Sequence, residues 1–309
     1  MGVTEYAATQ LELLSLISWL MKDLGWVLLL PALGWSAAVG AICLEFHGTV
    51  SGWKADSGAV RVHGVAIFLW IIGNSIWMTS EFLFDATSSI DKKTQHSVFP
   101  WFSGPLAGKE ERAYWAGVHC ARALFGIAIC LLVGFVLTSA WNMRHNASNP
   151  PEGCGNPQDE TDASVEPADE LVCRFITPKV YMMVFIGPWI LKDVFWTLEL
   201  LAPALLCSVV VLILTVDAYR RFFSPSSLVE TFWALANGIW IVAELALPGP
   251  TLGLRLCAAT MLVAGLGLAV GKLAQVHMQQ SRNSNLDASE TTPLTSSTGP
   301  SMVSSSATD

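Results

Sequence analysis

Charge is scarce in this chain. Only 14% of its 309 residues are Asp, Glu, Lys or Arg, against 52% hydrophobic residues, and the mean hydropathy is +0.49. A soluble domain carries about a quarter charged residues, so lipid is the expected solvent for much of the surface. The net charge of -8 comes largely from one acidic loop, and nothing in the pattern points to nucleic acid as a partner.

Catalytic and cofactor motifs are missing too. The seven Cys residues, Cys43, Cys120, Cys130, Cys154, Cys173, Cys207 and Cys257, form no CxxC pair and no dense secreted framework. Five of them lie in apolar runs, where Cys behaves as a small hydrophobe. No GxSxG, Walker, HExxH or kinase signature occurs where it could work, so no enzymatic activity is read from the sequence. His47 and His63 lie near one membrane face while the spans at the other offer only His119, which leaves a two-haem arrangement short of ligands. His119 with Glu81 is too thin for a metallohydrolase centre, and Lys272 stands at the end of the last apolar run, not mid-span as a retinal protein needs. No cofactor and no metal site is identified. The first ten residues lack the basic region and cleavage site of a signal peptide, and Tyr6 breaks a myristoylation pattern after Gly2.

What the chain does have is long apolar runs. A span needs about 20 mostly apolar residues, because each backbone polar group must find its partner within the helix. Seven runs qualify: Trp26 to Phe46, Val62 to Phe84, Ala113 to Trp141, Val180 to Glu199, Ala204 to Tyr219, Leu228 to Leu247 and Thr251 to Leu273. The expected fold is therefore all-α, a polytopic membrane protein with seven transmembrane helices spanning 26–275. Residues 1–25 form an N-terminal segment in which Leu11 to Lys22 reads as a short interfacial helix. Lys54, Arg61, Arg144, Arg174, Lys179, Arg220, Arg221, Lys272 and Arg282 fall on one face, and Lys22, Lys92, Lys93, Lys109, Arg112 and Arg255 on the other. The positive-inside rule puts the richer face in the cytoplasm, with the N-terminus outside and the C-terminus inside. The sequon at Asn146 then lies in the cytoplasm. Two stretches lack the apolar residues to pack: Asn146 to Asp169, within the loop 142–179, and Ser281 to Asp309, within a tail 276–309 available to protein partners. Between spans two and three, Phe99, Pro100, Trp101 and Phe102 are expected at headgroup depth.

The clearest pattern is self-similarity. Trp70, Asn74, Trp77 and Glu81 in span two recur as Trp233, Asn237, Trp240 and Glu244 in span six, and as Trp189, Asp193 and Trp196 in span four, where Glu199 comes one residue early. Offsets of four, seven and eleven fall at about 40, 340 and 20 degrees around a helix, so each set makes one narrow stripe. The expected unit is a helical hairpin, made of spans two-three, four-five and six-seven, repeated three times in parallel after one unmatched helix.

A carboxylate at the bilayer centre costs about 2.5 to 3.5 kcal/mol, so such residues turn inward. Asn74, Asp193 and Asn237 are expected to form a ring near mid-depth, with Glu81, Glu199 and Glu244 in a second ring nearer the outer face. His119 and Arg122 of span three add to it, with an ion pair between Asp193 and Arg122. Lys192, adjacent to Asp193 in sequence, is expected on another face. Trp70, Trp77, Trp189, Trp196, Trp233 and Trp240 wall the space. The arrangement suits a small solute or cation passing through an acidic, aromatic-lined vestibule. The competing readings are a ligand sensor, a non-catalytic scaffold subunit, and plain structure, with Trp in the interfacial belt and Asn as interhelical glue.

Overall fold

The computed structural model describes residues 3–53, 58–85, 109–148, 178–223, 225–247 and 252–290, all helical apart from short turns and with no strand among them. Eight long helices follow one another: α1 (Val3–Val27), α2 (Pro31–Trp53), α3 (Gly58–Ser80), α4 (Lys109–Ser148), α5 (Pro178–Thr197), α6 (Leu201–Phe222), α7 (Pro225–Ile241) and α8 (Leu252–Glu290). Proline opens α2, α5 and α7, where the first helical N–H needs no partner and the fixed φ is already helical. Pro203 sits in the first turn of α6 for the same reason.

The inner ends of the hairpins come in two kinds. α1 and α5 close with a left-handed residue, Leu29 at φ 54° and Glu199 at φ 58°. The backbone bonds around them match: Leu30 N–H to Gly25 O at 2.7 Å and Leu29 N–H to Trp26 O at 3.0 Å, against Leu200 to Phe195 and Glu199 to Trp196, both at 2.9 Å. This helix-stop leads directly into the returning helix. Gly25 is required there, since a Cβ would lie 2.4 Å from the Gly34 backbone nitrogen. α3 and α7 instead run on into π-helical turns, Glu81–Asp85 and Val242–Ala246.

Each helix packs on its chain neighbours, and α8 returns to pack on α1, closing a ring. The odd-numbered helices lie inside and carry eight buried Trp residues between them: Trp19, Trp26, Trp70, Trp77, Trp189, Trp196, Trp233 and Trp240. The even-numbered ones lie outside and leave apolar side chains such as Val39, Leu137, Ile213 and Val263 exposed. Five stretches are long and apolar enough to cross a membrane: Gly58–Leu83, Arg112–Asn142, Leu201–Arg221, Pro225–Ala246 and Leu252–Arg282. This fits an integral, multi-pass membrane protein.

The N-terminal segment differs from expectation. Instead of a short interfacial helix at Leu11 to Lys22, α1 is 25 residues long, and Trp19, Leu20, Lys22, Asp23 and Trp26 are buried in the bundle. The expected first span, starting at Trp26, is interrupted by the turn at 28–30. Its charged residues hid α1 as a core element; of these, Lys22 and Asp23 pair with each other inside the protein. At the other end, α8 continues to Glu290, so residues 281–290 of the stretch expected to be flexible are helical. The Phe99 to Phe102 patch, the loop after Ser148 and the tail after Glu290 lie outside the described residues.

Candidate functional site

Two Trp residues seven apart on a helix sit almost above one another, about 10 Å apart along the axis. Each inner helix carries such a pair, so the four helices bring eight indoles together in two layers. In the upper layer Trp26, Trp77, Trp196 and Trp240 form a closed pinwheel. Neighbouring rings meet edge to face at 88–90°, with centroids 4.8 to 5.2 Å apart, and Trp26 lies parallel to Trp196 across the centre at 6.5 Å. Edge-to-face contact sets the positive ring edge against the negative face of the next. The lower layer, Trp19, Trp70, Trp189 and Trp233, is less regular, with neighbour angles from 35 to 76° and separations from 4.6 to 6.0 Å.

Between the layers lies a charged plane. Lys22 pairs with Asp23 and Lys192 with Asp193, all buried. The carboxylates are fixed from across the bundle. Trp233 donates its indole N–H to Asp23 at 2.6 Å; Trp70 and Asn74 donate to Asp193 at 2.7 and 3.1 Å. Lys192 also donates to Asn237 at 2.9 Å and stands 5.2 Å from the Trp196 ring centre, while Lys22 stands 5.1 Å from that of Trp26. Two cations and two anions cancel, which is how ionised groups persist this deep. Indoles and charged groups together enclose a space of only about 10 Å³, room for about one water molecule.

Asn74, Asp193 and Asn237 thus meet at the centre, while the expected partners of Asp193 are rearranged. Arg122 does not reach it. Arg122 instead donates to the Thr197 carbonyl at the end of α5, lies 3.3 Å from His119 and stacks over Trp115 at 5.7 Å. A cation at a helix C-terminus faces the negative end of its dipole. Lys192 does share the site with its neighbour Asp193: the two Cα–Cβ bonds diverge, but the four-carbon lysine stem bends its ammonium back.

The acidic residues near the upper layer also divide. Glu81 accepts from Trp26 at 2.7 Å. Glu244 accepts from Trp196 at 3.1 Å, Trp240 at 2.6 Å and Arg255 at 2.8 Å. Both lie in the π-helical turns, which roll the carboxylate toward the indoles. Glu199 stands apart, exposed on the left-handed turn after α5. The one-residue displacement noted in the sequence corresponds to this different helix ending.

Below the lower layer, at the end opposite Glu81 and Glu244, opens a pocket of about 400 Å³. Its floor is Trp19, Trp70, Trp189 and Trp233, and Glu12, Glu45, His63 and Glu230 line its walls. Glu45 accepts hydrogen bonds from Ser15 and from Trp19 at 3.2 Å. Neither His63 nor Glu230 has a hydrogen-bond or ion-pair partner among the described residues. Sequence reasoning looked for the vestibule at the other end. The available signal was the isolated Glu45 and Glu230, each within an apolar helix; without α1 in the bundle there was no second wall to set them against. Among the described residues no three His, Cys, Asp or Glu side chains converge as a metal site. The chain matches no protein family, no curated protein sequence and no solved structure.

Proposed function

We propose that all eight helices cross the membrane and that the four inner ones carry a small cation, entering from the 400 Å³ pocket and passing through the charged plane. Helices of 20 residues or more cover about 30 Å at 1.5 Å per residue. α1, α2 and α5 fall short of the apolarity of the other five; in α1 and α5 polar side chains are turned into the bundle. In this reading Lys22 is no longer a loop residue, so the basic count becomes nine against five, and both termini share the richer, cytoplasmic face. That replaces the outside N-terminus of a seven-span arrangement, and the pocket opens toward the cytoplasm.

The observation that carries the reading is the pair of buried Lys–Asp contacts held between aromatic layers. Apolar side chains of similar volume usually serve stability as well as a buried ion pair does, and ionised groups inside a membrane mark ion and proton routes. Asn74, Asp193 and Asn237 then form the central exchange plane. Glu81 and Glu244 form the far exit, with Glu199, His119 and Arg122 at its rim. The test is uptake of radiolabelled methylammonium into proteoliposomes. We expect flux above protein-free liposomes, reduced at least about tenfold in an Asp23→Asn, Asp193→Asn double variant; equal flux in all three preparations overturns the proposal.

A second reading is supported by the small central space, about 10 Å³, which makes the pocket a dead end in this conformation. A sensor would bind its ligand there and pass a helix movement to the cytoplasmic tail. Ligand-dependent change in tryptophan fluorescence with no flux favours it.

A further inference from the structure

The pocket below the lower indole layer has a chemistry more specific than "cation". Its volume of about 400 Å³ falls within the range of small-molecule sites, about 300 to 1,000 Å³, and far exceeds a bare ion. Its carboxylates do not converge as a metal cage. They stand on three helices, Glu12 on α1, Glu45 on α2 and Glu230 on α7, around walls that are otherwise mainly apolar. Glu45 is held in place by Ser15 and Trp19, while Glu230, which lines the cavity, has no hydrogen-bond or ion-pair partner among the described residues. Indoles on the floor supply π faces, the strongest aromatic partners for a cation.

We infer that this pocket binds an organic ammonium compound, one positive nitrogen carried on an apolar body. The ammonium sits between Glu230 and Glu45 over the indole floor, and the apolar body lies along Leu16 and Ile186. Anions meet no Lys or Arg among the lining residues, and strongly hydrated metal ions find no converging ligands. A free amine and the ammonium headgroup of a lipid share this chemistry. The inference rests on the pocket that the transport reading uses as its entrance, but it does not require movement through the charged plane.

The experiment is a calorimetric titration of the purified full chain in nanodiscs with benzyltrimethylammonium, benzylammonium and benzoate. Saturable binding of the two ammonium compounds, none of benzoate, and a loss of about tenfold in affinity on Glu230→Gln is expected, as for removal of one charge-assisted contact. Glu45→Gln serves as the second variant should Glu230→Gln not fold. Equal probe affinity in phosphatidylglycerol and phosphatidylcholine discs assigns the site to a free solute; weaker affinity in phosphatidylcholine assigns it to a lipid headgroup. Absence of saturable ammonium binding, or unchanged affinity in both variants, overturns the inference. Binding that survives in a preparation without methylammonium flux removes the transport reading and leaves this one standing.

Discussion

The two indole layers contain the same four residues on the same four helices, yet they are built differently. The upper layer is a closed pinwheel with every neighbour contact within two degrees of perpendicular, and three of its N–H groups are fixed by Glu81 and Glu244. Lower-layer rings tilt variously, two of them donate into the charged plane, and their other side faces the 400 Å³ pocket. The contrast teaches that one layer is a seal and the other a surface. In this conformation symmetric packing closes the upper face; the irregular face below keeps a concave site with indoles available to a ligand.

Five substitutions bear on that contrast. Asp193→Ala leaves Lys192 buried without its countercharge and Trp70 without its acceptor, and should cost about 3 to 5 kcal/mol in denaturation of the detergent-solubilised protein. Trp77→Ala opens a void in the seal and should cost about 3 to 5 kcal/mol. Trp189→Ala, which only enlarges an existing pocket, should cost roughly 1 to 2 kcal/mol less, because the change is mostly lost transfer energy rather than a new cavity; equal costs would break the distinction between the layers. Glu244→Gln weakens charge-assisted bonds from two indoles and Arg255 and should cost about 1.5 to 3 kcal/mol by thermal unfolding. Smallest of all, Glu199→Gly relieves the left-handed backbone at φ 58° and should stabilise by about 0.5 to 1 kcal/mol.

Much of the interior was legible because a stripe of residues spaced four and seven apart can face only one way on a helix. Trp70, Asn74 and Trp77 therefore share one side of α3, and that side meets α5 and α7. α1 escaped notice although Trp19, Asp23 and Trp26 keep the same spacing, because Glu12, Lys22 and Asp23 depress its apolarity and a span is read from apolarity first. Lys192 leaves the helix on a different face from Asp193, but backbone geometry does not limit where a long flexible side chain ends, so the pairing is not legible from spacing. Neither the π-helical turns at Glu81 and Glu244 nor the left-handed turn at Glu199 has a local signature in the sequence; both depend on what the helix end packs against. The pocket was not visible at all, since its walls come from α1, α2, α3, α5 and α7 together.

The first helix is the test of the whole arrangement, since only with α1 inside does the charged plane close. A double-mutant cycle between Asp23→Asn and Trp233→Phe, 210 residues apart, measures that closure in unfolding free energy. The account predicts a coupling of about 1 to 3 kcal/mol between the two sites; effects that add to within about 0.5 kcal/mol would contradict it and return α1 to the membrane surface.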